Sequence, residues 1–191
     1  VGSEMCIRDS SYTVRCNALG YNSQETTVNV SDGSFFHLDF LLTPAVVGLD
    51  FESGPAGWSA FNGPGVSSGF WQLGDPVGTE IQPEDDHTPA PGALAWVTDP
   101  MAGPSVSSGD VDGGATVLTS PTYSIGSMRD PHVSYWLWYQ TGAAGNISRD
   151  FLVAEVSSNG GGTWTVLEAT DRGAAAWVER DFRLADFVVP G

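Results

Sequence analysis

Residues 12–16 alternate: Tyr12, Val14 and Cys16 fall on one side, Thr13 and Arg15 on the other, the period-two pattern of a strand. Residues 26–30 repeat it, with Val28 and Val30 sharing a face. Ser31-Asp32-Gly33-Ser34 is a turn. Beyond it Phe36, Leu38, Phe40 and Leu42 line one side of a third expected strand, with His37 and Asp39 on the other. Three strands in so short a span bury no core of their own. Thr43-Pro44-Ala45 then breaks the pattern, which divides the chain into 1–10, 11–44, a linker at 45–47, and 48–191. Past Val47 the expected strands are 49–52, 57–61, 70–73, 93–97, 116–118, 132–139, 151–156, 163–167 and 177–182. Short strands between glycine-marked turns, with no helix-period stretch, predict an all-β chain ending in a jelly-roll β-sandwich.

The 132–139 segment is apolar on both sides. Val133, Tyr135, Leu137 and Tyr139 share one face, Trp136 and Trp138 the other, which places the strand inside a sheet. One face belongs to the core. The other is either packed under a long loop or an open aromatic platform, and in the second case Trp136 and Trp138 are the candidate sugar-binding residues.

Charge narrows the partners. Seven basic residues against 23 acids leave a net charge of −16, which repels nucleic acid and anionic membranes. No apolar run is long enough to span a bilayer. The expected partners are an extracellular protein or polysaccharide surface and adjacent domains of the same chain.

Two acid-rich segments flank a tryptophan- and glycine-rich stretch. In Asp50-Phe51-Glu52 a regular strand turns both carboxylates to one face and Phe51 to the core. In Gln82-Pro83-Glu84-Asp85-Asp86-His87-Thr88-Pro89, Asp85 and Asp86 lie in a proline-flanked loop that can fold over that edge. Clustered carboxylates without Lys or Arg partners need a cation, protons or water. An oxygen-rich set suits calcium, which takes six to eight oxygens in flexible geometry. Solvated loop acids are the alternative. His87 is expected to bond within the loop, because imidazole is a poor ligand for a hard ion.

Other motifs read as structure. Asp110-Val111-Asp112-Gly113-Gly114 opens like a calcium loop, but no Glu closes it, so a polar turn is expected. Ser157-Ser158-Asn159-Gly160-Gly161-Gly162-Thr163-Trp164 has the form of an Asp-box with Asn for Asp. It is read as a turn in which Gly supplies positive φ while Ser and Thr satisfy the loop backbone. His37 is expected to face solvent. Cys6 and Cys16 either pair or leave Cys16 as a small buried residue. His37, His87 and His132 lack zinc-protease spacing, and no nucleophile elbow or phosphate loop occurs. A glycosidase pair drawn from Glu80, Glu84 and Glu155 is the remaining catalytic alternative. The chain itself is expected to be non-catalytic.

Three resemblances add to this. The head VGSEMCIRDS resembles a translated sequencing-adapter artefact of assembled metagenomic reads, which sets Cys6 aside. Residues 11–44 resemble the closing strands of a carboxypeptidase regulatory-like, prealbumin-like β-sandwich, truncated at its start. The order Asp50-Phe51-Glu52, Gly57-Trp58, Trp71, Pro83, Asp86-His87-Thr88, Gly92, Ala95-Trp96-Val97, Leu118-Thr119-Ser120-Pro121 and His132 to Tyr139 resembles a MAM-like, concanavalin-like jelly roll over about 48–168. That likeness implies a secreted, non-catalytic accessory or adhesion module of a multidomain protein, such as a bacterial metallopeptidase. It also implies a structural calcium ion at Asp50, Glu52 and Asp86, with Asp85 beside them. The family's paired cysteines are absent, and one or two further strands are expected beyond Gly191, so the second domain is read as truncated too.

Overall fold

The computed structural model describes residues 10–16, 18, 21–31, 33, 35–43, 47–79, 81–104, 108–126, 128, 130–140 and 150–189. Its strands are β1 (Ser10–Cys16), β2 (Gln24–Val30), β3 (Ser59–Asn62), β4 (Gln72–Gly74) and β5 (Ala95–Val97), then β6 (Thr116–Thr119), β7 (His132–Tyr139), β8 (Leu152–Val156), β9 (Thr165–Thr170) and β10 (Ala174–Arg183). Among the described residues they pair, all antiparallel, as β1–β2, β3–β6, β4–β5, β7–β10 and β8–β9. One 3-10 turn, Leu184–Asp186, follows β10. The chain is all-β with sandwich character.

Contacts divide it into two units, Val1–Val47 with Ser124–Pro131, and Gly48–Tyr123 with His132–Gly191. One boundary between the units follows Val47, and residues 124–131 group with the first unit.

In the first unit β1 and β2 form a regular hairpin with Tyr12 opposite Val28 and Val14 opposite Thr26. Cys16 is half-buried at the end of β1. Cys6 and Glu80 lie outside the described residues. The expected third strand does not form. Residues 35–43 make no ladder, and Phe35 and Leu41 are 99% and 86% exposed. Instead Thr43 O accepts from the Asn22 N–H at 2.9 Å and Leu41 O from the Gln24 side-chain amide at 2.6 Å. Asn22 also bridges Met128. Among the described residues no second layer covers the alternating apolar row, and alternation alone does not hold a strand. His37 is exposed and bonds Asp39 at 3.1 Å.

In the second unit β7 pairs with β10, setting Tyr135 opposite Arg180 and Trp136 opposite Glu179. The two faces of β7 meet different partners. On one, the Tyr135 ring lies 6.1 Å from Phe182 and its hydroxyl donates to Glu168 Oε1 on β9 at 2.6 Å. Arg180 Nε donates to the other carboxylate oxygen at 3.0 Å. This three-residue network fastens β9 to the β7–β10 ladder. On the other face Trp136 and Trp138 meet residues 81–88, described below. Pro76, Ala95, Ala102 and Leu184 are buried.

The tyrosines at this ladder resist ionisation. Burial first, then the Glu168 hydrogen bond and charge, push the Tyr135 phenol up. Burial, then Asp150, raises Tyr139 to about 12. A phenol that ionises later in the folded than in the unfolded state stabilises the fold fully below the unfolded value of about 10. That contribution is lost as pH rises through the folded value. The second unit is therefore expected to lose stability steadily from pH 10 to pH 12. Tyr139→Phe should flatten part of that fall in alkaline denaturant melts; an unchanged slope would show that Tyr139 is not the group titrating.

Between β3 and β6, residues 63–69 run against 110–115. Ser67 N donates to Asp112 O at 2.9 Å, Ser68 Oγ to Asp110 O at 2.7 Å, and Ser68 and Asp112 form an isolated bridge. The 110–114 segment is thus the polar turn that leads into β6, with Gly113 at φ 78°.

Candidate functional site

Residues 49–52 are not a strand. Phe51 sits in the left-handed region at φ 60°, and Gly54 N closes a turn onto Phe51 O at 2.9 Å. A non-glycine residue there costs roughly 1–2 kcal/mol, so something distant must hold it. Two contacts do. The Phe51 ring stands edge-on to Trp58 and Trp96 with centroids 5.7 and 6.4 Å away. Glu52 Oε1 accepts the N–H groups of Ala93 and Leu94, at 2.9 and 2.7 Å. These long-range contacts override the local alternation, and the same-face geometry expected for Asp50 and Glu52 is replaced by a turn. Asp50 Oδ1 accepts the Glu52 N–H at 3.2 Å.

Asp86 closes a local turn. Its Oδ1 accepts the Thr88 N–H at 3.0 Å, and the Thr88 hydroxyl lies 2.9 and 2.7 Å from the two carboxylate oxygens. Thr88 Oγ1 and Asp86 Oδ1 also crowd Gly92: a Cβ built there would stand 1.9 and 3.4 Å from them. Asp86 Oδ1 thus lies in the neighbourhood of Gly92, whereas Glu52 hydrogen-bonds the backbone at Ala93 and Leu94. Asp85 points into solvent as an exposed residue, as does Glu84.

Of the four expected ligands, Glu52 is held by a distant backbone segment, Asp50 and Asp86 are each tied to their own turn, and Asp85 stands outside. Among the described residues no three His, Cys, Asp or Glu side chains gather at a metal-sized position. Backbone and hydroxyl donors already give Glu52 and Asp86 part of the stabilisation that a cation supplies to clustered acids.

The same loop covers the tryptophan face. The His87 ring stacks on Trp136 with centroids 3.4 Å apart and planes 10° from parallel, and it meets Trp177 edge-on at 6.4 Å. The Trp138 indole donates to Ile81 O at 2.8 Å and packs edge-on against Trp177 at 5.8 Å. Gln82 anchors the loop's start through Val77 O and Pro100 O, at 3.0 and 3.3 Å. Trp136 remains 43% exposed, but one ring face is taken by His87. A sugar stacking on that side would have to displace the loop.

Sequence reasoning missed Thr88, the Ala93 and Leu94 amides, and the ring of Trp177. The Asp-x-Thr spacing was a readable turn signal; the other two depend on long-range placement. His132, in turn, pairs with Asp181 at 2.6 Å across the β7–β10 ladder, and Glu155 stands exposed on β8.

The Asp-box-like turn is built as its residues imply. Ser157 Oγ accepts the Gly161 N–H at 2.8 Å and Asn159 Oδ1 accepts the Thr163 N–H at 2.9 Å, with Gly160 and Gly161 at φ 68° and 89°. Among the described residues no helix is long and apolar enough to cross a membrane. No protein-family model, curated protein or solved structure matches this chain.

Proposed function

We propose that this chain is a non-catalytic accessory module of a secreted multidomain protein, with a calcium ion bolstering the acid-rich loop at Glu52 and Asp86. The supporting observation is that Glu52 accepts the Ala93 and Leu94 amides and Asp86 closes its own turn beside Gly92, while Ile81 and His87 of the same acid-rich loop pack on the β7 tryptophans. Acids so placed fasten a loop; an ion bridging their remaining lone pairs would strengthen the same joint. MAM-like membership and a metallopeptidase parent belong to this proposal and rest on the ordered motifs of residues 48–168 alone. A polysaccharide-binding role through Trp136 and Trp138 is the weaker reading, because His87 occupies a Trp136 face.

Thermal unfolding with calcium and then with excess chelator tests the proposal. An ion bound only by the folded state raises the melting temperature as its concentration rises. Chelation is expected to lower the transition of the second unit by several degrees. Glu52→Gln keeps an oxygen for the Ala93 and Leu94 amides but loses the charge, so it should abolish the calcium response with little change in the calcium-free transition. Identical curves with and without calcium in the parent chain would reject the ion and leave a purely hydrogen-bonded clasp.

A further inference from the structure

The β8–β9 hairpin has an apolar side that nothing described in the second unit explains. Alternation turns Leu152, Ala154 and Val156 to the half-buried side and Val153 and Glu155 outward, with Phe151 preceding them. The irregularity after Ala154 sets Val166 opposite Glu155, while Ala169 lies opposite Val153; both partners are exposed. Trp164, immediately before β9, is exposed too. Phe151, Val153, Trp164 and Val166 are 64, 51, 48 and 47% exposed. A strand pair with one face in water carries polar residues there; this one presents an apolar row over roughly 20 Å at about 3.3 Å per residue. Its other side is engaged through Glu168, which Tyr135 and Arg180 hold. The turn at its end is closed by its own Ser157, Asn159 and Thr163 bonds, so the face is preorganised.

We infer that this face docks a segment of another polypeptide in which aliphatic or aromatic side chains alternate with Arg or Lys. An exposed apolar row anchored by tryptophan is the composition of an interaction surface. The charge selects the occupant. The ionisable residue within the row is Glu155, exposed Asp150 precedes Phe151, and the chain carries −16 with no Lys. A second copy fits badly, since two-fold pairing of this face would bring Glu155 towards its mate between two strongly negative bodies. The inference goes beyond the accessory-module reading and does not depend on the ion.

The test titrates the full chain with three labelled eight-residue peptides, followed by fluorescence anisotropy. One alternates arginine with valine, one glutamate with valine, and one arginine with serine. The arginine–valine peptide should bind at least tenfold more tightly than the arginine–serine peptide, and the glutamate peptide should not bind. Val153→Ser with Val166→Ser should weaken binding tenfold or more, and Glu155→Arg about fivefold. Should the double variant fail to fold, Glu155→Arg, at an exposed position, carries the test alone. Equal binding of the two arginine peptides, binding indifferent to these substitutions, or no binding would overturn the proposal. So would sedimentation showing a dimer of the chain that Val153→Ser dissolves.

Discussion

Gly69→Ala is expected to cost the second unit about 3 kcal/mol or more, enough to unfold a marginal domain. Two separate penalties meet at this residue. Its φ is 70°, a conformation that costs an L-residue roughly 1–2 kcal/mol. A Cβ there would also lie 2.5 Å from both Val111 Cα and Val111 N, which are backbone atoms that cannot rotate away. Forcing a methyl into such a contact costs typically 1–3 kcal/mol. Gly160→Ala separates the two terms: its φ is 68°, yet nothing lies within 4 Å of a Cβ there. Urea melts of the two variants should differ by the contact term. Equal losses would mean that residues 63–69 and 110–115 do not approach as described.

Glu168→Ala should produce the second large loss, about 2 kcal/mol. The carboxylate is 16% exposed and takes both the Tyr135 hydroxyl and the Arg180 guanidinium, which is 30% exposed. Removing one partner of a well-buried pair costs some 3–5 kcal/mol; the partial exposure of Arg180 lets water recover part of that. Replacing both charges with apolar groups of similar size, Glu168→Leu with Arg180→Met, should recover much of the loss, because no buried charge is then stranded. A double variant as unstable as Glu168→Ala alone would mean that packing, not the uncompensated charge, sets the cost. Chemical denaturation of the three chains decides between them.

These two sites differ in how far they can be read in advance. The 110–114 turn was legible: Asp and Gly clusters before a β-rich run mark a loop whatever the fold. That Gly69, forty residues earlier in the chain, must be glycine because of that turn was not, since no local pattern records which loops will touch. The alternation of β1, β2, β7 and β8 was visible because period two is a property of the strand itself. The same signal failed at 36–42, which no layer among the described residues covers, and at 49–52, where the Phe51 ring and the Glu52 carboxylate pull the chain into a turn. Local pattern lost in both cases to what lay, or did not lie, across from it.

At the candidate site the residue types were legible and their geometry was not. Asp50, Glu52, Asp85 and Asp86 stood out as acids without basic partners; only the fold shows that Glu52 grips Ala93 and Leu94, that Asp86 turns back on Thr88, and that Asp85 stays outside. Trp136 and Trp138 were plainly one face of a strand, and the choice between platform and packing fell to His87 and Ile81 some fifty residues earlier.

By itself, then, the sequence determined an all-β chain, the two-faced β7, the Asp-box-like turn and a strongly negative charge. Each follows from near-neighbour rules of alternation, turn chemistry and composition. The tertiary structure alone decided which strands pair, which glycines are obligatory and where the carboxylates find their donors, because these depend on contacts between residues far apart in the chain.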